Sequence, residues 1–329
     1  MIITKTPVRI SFFGGGSDFP EFFNKHGGAV LSTAIDKFCY LTVSHLSDFF
    51  DYRIKVAYSR AELVNEVAQI QHPAVRACLE RFGIKSNIEI NYFSDLPART
   101  GLGTSSSFVV GLLNALYAFK GRRVSPESLA RDAVRVEREM IGENVGYQDQ
   151  FAAACGGFNY IEFKASDDIH LEKIVCLASR LRELEENLMI FYTGIQRDSD
   201  RIQKKHVSKI GDNTEALLAL VEMAARGRDI LVDGSADLRG FGELLHQAWE
   251  LKRGLNRDVS TPVIDGLYEK AHAAGAIGGK LLGAGGGGFL LLFVRPDDQD
   301  RIRRSLAPLL EVKFRFEKRG SRVIFFDHD

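Results

Sequence analysis

From Ser107 onward apolar residues recur at three- and four-residue intervals, at Phe108, Leu112, Ala115, Leu116 and Phe119, and Gly121 follows where such a helix would stop. Helical spacing also runs through 74–82 behind Pro73, from Ser125-Pro126-Glu127 towards Met140, and through 213–232, 238–251 and 262–274. β-branched and aromatic residues, partly alternating, predict strands at 8–12, 38–43, 53–58 and 88–93. Further strands are predicted at 158–163, 188–192, 289–294, 312–316 and 323–326. Helices and strands in mixed order point to an α+β architecture in both halves. The polar stretch 164–171 reads as a hairpin turn or a domain junction, so one domain is expected over 1–165 and a second over 166–329.

The chain has 329 residues, enough for about two domains with a sizeable core. Its 43 basic and 43 acidic residues cancel, so no global field draws it to nucleic acid or to an anionic membrane. No apolar run reaches the roughly 18 residues that span a bilayer, and the start lacks the pattern of a signal peptide. A cytoplasmic protein is expected. Cys39, Cys78, Cys155 and Cys176 are scattered and expected to be reduced, and the eight histidines show no ligand-like spacing.

Three glycine-rich stretches carry the candidate chemistry. Pro97-Ala98-Arg99-Thr100-Gly101-Leu102-Gly103-Thr104-Ser105-Ser106-Ser107 opens the helix that begins the pattern above. Its glycines permit close backbone approach, its hydroxyls supply donors and a Mg²⁺ ligand, and the first helical N–H groups have no partner within the helix, so the stretch reads as a phosphate cradle. An ordinary Gly/Ser connection has the same local look. Near the start, a strand containing Arg9 runs into Gly14-Gly15-Gly16-Ser17-Asp18, a loop suited to a polyhydroxylated ligand. Asp18 would accept from sugar hydroxyls, and Arg9 would supply a permanent cation.

The third stretch is Gly278-Gly279-Lys280-Leu281-Leu282-Gly283-Ala284-Gly285-Gly286-Gly287-Gly288, with Gly285 and Gly286 as substrate-side candidates. Gly283, Gly285 and Gly288 match the G-x-G-x-x-G spacing, but a strand rather than a helix follows, which argues against dinucleotide binding. Between the second helix pair, Glu137 falls late on one helix and Asp149 starts the next. Glu137 is therefore a candidate for meeting Mg²⁺ and Asp149 for facing a nucleophile.

In this order the segments resemble the motifs of the GHMP kinase superfamily, which includes galactokinase, homoserine kinase and mevalonate kinase. Residues 97–107 resemble its P-x-x-x-G-L-G-S-S motif with Thr104 for the first serine, Gly146-Tyr147-Gln148-Asp149-Gln150 resembles the galactokinase segment holding the catalytic aspartate, and 280–288 resembles the C-terminal glycine motif. The resemblance implies a two-domain fold, with a left-handed β-α-β crossover in the first domain and a ferredoxin-like second domain. It implies ATP phosphates over the loop of Pro97, Gly101, Leu102, Gly103, Thr104, Ser105, Ser106 and Ser107, and Mg²⁺ at Ser105 and Glu137. Asp149 would accept the substrate hydroxyl's proton, with Arg9 pairing it and stabilising the transferring group.

Galactokinases carry G-E-H-T-D where this chain has Gly14-Gly15-Gly16-Ser17-Asp18. The R-I-S-F-x-G-G-G-[ST]-D form is similar to that of D-glycero-D-manno-heptose 7-phosphate kinases, which implies transfer to the anomeric hydroxyl in nucleotide-heptose and surface-glycan biosynthesis. Gly15, Gly16, Ser17 and Asp18 would then line the sugar site. Arg197, with Arg201 and Lys204 on the same predicted helix face, is the expected anchor for the 7-phosphate, although pairing with Asp198 or Asp200 is an equally ordinary fate. The resemblance leaves room for an L-fucose or other sugar 1-kinase and for a non-catalytic ATP- and sugar-binding sensor. It also leaves room for a homodimer.

Overall fold

The computed structural model describes residues 1–97, 100–195 and 199–327. Strand β1 (Ile2–Phe13) leads through helix α1 (Pro20–His26) into the long β2 (Gly28–His45), which pairs with β1 antiparallel. Next come β3 (Ile54–Ala57), β4 (Ala61–Val64), α2 (Pro73–Arg81) and β5 (Ile88–Ser94). β5 runs parallel to β3 and antiparallel to β2, so the β4–α2 segment is a crossover connection. Helices α3 (Thr104–Phe119), α4 (Pro126–Arg135) and α5 (Gln148–Cys155) precede the hairpin β6 (Phe158–Lys164) and β7 (Asp168–Lys173). β6 joins β2 and β7 joins β6.

After α6 (Ala178–Glu186) and β8 (Leu188–Tyr192), four helices follow, α7 (Ser199–Ser208), α8 (Thr214–Val232), α9 (Arg239–Leu255) and α10 (Pro262–Ala273). Strands β9 (Gly278–Leu281) and β10 (Phe289–Phe293), helix α11 (Gln299–Leu306) and the short β11 (Leu310–Glu311) complete a second sheet of order β11-β8-β10-β9, all antiparallel. That order, with helices between its first and second and its third and fourth strands, is ferredoxin-like. The last strand, β12 (Arg322–Phe326), returns to the first sheet beside β1.

Three departures from the sequence expectation matter. The division at 165/166 falls inside the turn of the β6–β7 hairpin, so the first sheet continues to Lys173 and also recruits β12 from the far end of the chain. The strand expected at 312–316 is absent, and Phe316 makes an isolated bridge to Ile35. The helix expected to run towards Met140 is α-helical only to Arg135 and then widens into a π-helical turn, Val136–Ile141, which carries Glu137.

The sheets share an apolar core. Phe12 and Phe13 of β1 meet Phe241 of α9 edge to face, with ring centroids 5.3 and 5.0 Å apart, in a cluster that also holds Leu291 and Phe293 of β10. Burying each such ring is worth roughly 1.5–3 kcal/mol, so the two sheets are fixed against one another and the cleft between them has firm walls. Among the described residues no helix is long and apolar enough to cross a membrane.

Candidate active site

Arg9 stands in the middle of β1 between the apolar Val8 and Ile10, on the opposite face of the strand from them, and it is almost fully buried. Such a cation needs partners, and its guanidinium makes three hydrogen bonds to two of them. Nε and Nη2 donate to Asp149 Oδ1 and Oδ2 at 2.7 and 2.8 Å, a bidentate fork, and Nη1 donates to the Gly101 carbonyl at 2.7 Å. The backbone N–H of Arg9 donates to Leu102 O at 3.0 Å, tying the central glycine loop to the same strand. Asp149 lies in the first turn of α5 and faces Gly103, which has φ +75° and would place a Cβ 3.2 Å from Asp149 Oδ2. Glycine is required there on both counts.

Gly103 is the N-cap of α3, and no side chain caps that helix, so its first N–H groups are open to an anion. The hydroxyls of the loop divide unevenly. Ser105 is exposed, whereas Ser106 is buried and its Oγ lies 3.0 and 3.1 Å from the two Glu137 oxygens. Ser107 donates instead to Pro7 O at 2.9 Å, Leu102 packs in the core, and Thr100 Oγ1 donates to Pro97 O, so these positions shape the loop. Ala98 and Arg99 lie outside the described residues.

Glu137 is fully buried, and Gln150 Nε2 donates to its Oε2. Burial pushes its carboxyl up to about 8, against the opposing pull of the Gln150 and Ser106 hydrogen bonds, while Glu143 and Asp149 add repulsion. A buried carboxyl with neutral partners beside an open helix N-terminus fits a hard dication that takes most of its other ligands from phosphate and water. Among the described residues no group of three acidic, histidine or cysteine side chains forms a metal cage; the residues that would meet such an ion are Glu137 and the Ser105 and Ser106 hydroxyls.

The first glycine loop forms the next wall. Asp18 is buried, its oxygens accept from the Gly16 and Gln148 N–H groups at 2.9 and 3.2 Å, and its carbonyl accepts from Tyr147 N–H. Burial raises its pKa, opposed mainly by those N–H groups, with Asp149 adding repulsion. Asp18 therefore locks the loop onto the start of α5 and positions Asp149. Ser17 does not face the cleft: its hydroxyl donates to Gly14 O and bonds Ala29 on both backbone atoms. That corrects the expectation of a sugar contact there.

The cleft itself is lined by Arg9, Ser11, Gly15, Gly16, Asp18, Gln148 and Asp149 from the first domain and by Gln203, His206, Lys252, Asn256, Lys280, Gly283 and Ala284 from the second. Gly285 and Gly286 are not among them. A Cβ on Gly285 would lie 2.5 Å from Val259 Cα, and Gly286 N–H donates to Val259 O, so the outer glycines pack the loop against its neighbour. Gly288 packs on Thr100, seating this loop on the phosphate loop.

Several lining residues have no counterpart in the sequence expectation. Lys280 is buried on β9, its Nζ donating to Phe12 O at 2.6 Å, and burial with repulsion from Arg9 depresses its pKa to about 7. Its sequence signal is a lysine set directly between Gly279 and the apolar Leu281-Leu282. Ser11 Oγ, Gln148 Oε1 and Asn256 Nδ2 are buried, lack hydrogen-bond partners, and all line the cleft, which is therefore built for a ligand rich in polar groups. Arg197 lies outside the described residues. Arg201 and Lys204 are exposed, and α7 instead turns Ile202, Gln203 and His206 to the cleft.

Comparison with known proteins agrees with this geometry. The family model described as GHMP kinases N terminal domain matches residues 54–157, and that described as GHMP kinases C terminal matches residues 231–309. The chain is 29% identical over 316 residues to the D-glycero-alpha-D-manno-heptose 7-phosphate kinase of Campylobacter jejuni, covering 93% of each. It is 27% identical to the bifunctional fucokinase/GDP-fucose pyrophosphorylase of Arabidopsis thaliana, covering 91% of this chain and 30% of that protein. A solved structure of a D-glycero-D-manno-heptose 1-phosphate kinase from Bacteroides thetaiotaomicron superposes with a TM-score of 0.81 at 25% identity, covering 100% of both chains. With the phosphate loop, the paired arginine and aspartate and the ferredoxin-like second sheet in place, the chain belongs to the GHMP kinases, and it is an ATP-dependent kinase.

Proposed function

We propose that this kinase transfers the γ-phosphoryl group of ATP to the anomeric hydroxyl of D-glycero-D-manno-heptose 7-phosphate, giving the 1,7-bisphosphate for nucleotide-heptose and surface-glycan synthesis. The observation that carries the reading is the make-up of the cleft. In a chain of zero net charge it gathers three basic side chains, Arg9, Lys252 and Lys280, with two acidic ones, Asp18 and Asp149, together with three unpartnered buried polar atoms. A neutral sugar would satisfy the polar atoms alone; a sugar phosphate also offers negative charge to Lys252 and to the protonated form of Lys280. The similarity to the Campylobacter heptose 7-phosphate kinase supports the same acceptor.

In this reading the nucleotide phosphates lie at the open N-terminus of α3. Asp149 takes the proton of the attacking hydroxyl as its oxygen bonds to the γ-phosphorus and the bond to the bridging oxygen of ADP breaks. Arg9 holds Asp149 by both oxygens and leaves it one orientation. Glu137 and the adjacent hydroxyls would hold Mg²⁺, which when bound would neutralise charge on the phosphates. The test is a coupled ADP-release assay on heptose 7-phosphate, heptose, L-fucose and galactose. The reading expects the phosphorylated heptose to have the highest kcat/KM by at least tenfold, and a higher value for any unphosphorylated sugar would overturn it.

A further inference from the structure

We propose that Lys252 and Asn256 form the subsite that grips the substrate's own phosphate, on the wall of the cleft built by the end of α9; the inference rests on the reading of the acceptor as a phosphorylated sugar. Lys252 lies in the last turn of α9 and Asn256 is the extended residue that caps its C-terminus, and both line the cleft. Asn256 is 5% exposed. Its Oδ1 accepts the Asp258 N–H at 3.1 Å, which fixes the amide, and its Nδ2 has no hydrogen-bond partner. Lys252 Nζ donates to Gly283 O at 2.5 Å, which holds the ammonium at the glycine loop on the same wall.

With Oδ1 engaged, the pair presents donors only. A sugar hydroxyl, which both donates and accepts, suits the mixed donors and acceptors of Ser11, Gln148 and Asp149 on the first domain's wall; a phosphate, with acceptor oxygens and a negative charge, suits an ammonium beside an amide NH₂. Three acceptors near this end of the cleft have partners of their own. Asp258 pairs with Lys205 and Arg201, Asp18 accepts two backbone N–H groups, and the last carbonyl of α9, Leu255 O, accepts from Asn213 Nδ2. This puts the anchor at the end of α9 in the second domain; the sequence expectation was Arg197, which lies outside the described residues.

The experiment measures kcat/KM for D-glycero-D-manno-heptose 7-phosphate and for D-glycero-D-manno-heptose in the wild type and in Lys252→Met, Lys252→Arg and Asn256→Asp, with thermal melting of each. The readout is the ratio between the two sugars. Lys252→Met is expected to lower that ratio tenfold or more and Asn256→Asp, which sets a like charge against the phosphate at unchanged size, to lower it at least as far, whereas Lys252→Arg keeps most of it. A wild-type preference for the 7-phosphate that survives within twofold in Lys252→Met or Asn256→Asp overturns this inference alone, and so does an equal loss on both sugars. A wild type with no preference for the phosphorylated sugar overturns the substrate reading and the inference with it. Should Lys252→Met melt early, Asn256→Asp and Lys252→Arg decide by the same ratio.

Discussion

Replacing Lys280 by Met separates what this residue does for stability from what it does for function. Methionine keeps an unbranched side chain of similar length and removes the charge. In the native protein the lysine's pKa falls from 10.5 to about 7, first because burial disfavours the ammonium and then because Arg9 repels it. A shift of that size corresponds to roughly 5 kcal/mol between charged and neutral forms. Below pH 7 the side chain is charged in both folded and unfolded chains, so the folded state carries the whole cost. Between 7 and 10.5 the unfolded chain binds the extra proton and wild-type stability rises with pH; above 10.5 the cost is gone.

Methionine escapes that cost but leaves Phe12 O without its donor, a loss of about 1–3 kcal/mol at every pH. At pH 6 the variant should therefore be more stable by roughly 2–4 kcal/mol, a rise in Tm on the order of 3–6 °C for a chain of this size. By pH 10 it should be equal to or less stable than wild type. Melting curves across pH 6–10 in non-coordinating buffers provide the assay, with turnover measured in parallel. If the cation is kept for the ligand, the variant gains stability at pH 6 and loses activity together. A variant destabilised at pH 6, or a Tm difference that does not change with pH, would refute the reasoning.

Asp149→Asn should fold and bind ATP but lose roughly 10²–10⁴ in kcat, the usual range for a general base, and near wild-type turnover at saturating substrate would remove the assignment. Glu137→Gln should raise the Mg²⁺ needed for half-maximal activity by more than Ser106→Ala or Ser105→Ala does, since a hard cation favours a charged oxygen; titration of activity against Mg²⁺ at fixed ATP reads the order, and an unchanged dependence in Glu137→Gln would take that carboxyl out of the metal site. Gly103→Ala forces a left-handed backbone on alanine and sets a methyl 3.2 Å from Asp149, so kcat should fall at least tenfold with the protein still folded, which circular dichroism and steady-state kinetics check together.

The parts of the site that were legible in the sequence are those where one residue type has one physical use. Glycines before an apolar helix marked the α3 start, and the resemblance to the GHMP kinase motifs implied the Arg9–Asp149 pair. Hydroxyls were not legible one by one. Ser105, Ser106 and Ser107 are adjacent letters, yet a helical rotation of about 100° per residue sends one to solvent, one to Glu137 and one to Pro7. The same rotation turned α7 so that Gln203 and His206 face the cleft and Arg201 and Lys204 do not. Lys252 and Asn256 were missed because α9 runs one turn past its predicted end. The return of β12 to β1, joined by hydrogen bonds across more than three hundred residues, was not legible because local pattern does not encode such a pairing.

The central claim is that the Arg9–Asp149 centre phosphorylates the anomeric oxygen of a sugar that already carries a phosphate, and the ³¹P spectrum of the reaction mixture tests it most directly. With ATP, Mg²⁺ and heptose 7-phosphate, the account predicts one ADP per new phosphomonoester, and a new resonance coupled to the anomeric proton beside an unchanged 7-phosphate signal. Asp149→Asn should suppress both. ADP accompanied only by inorganic phosphate, or a new phosphate coupled to protons at another carbon, would contradict it.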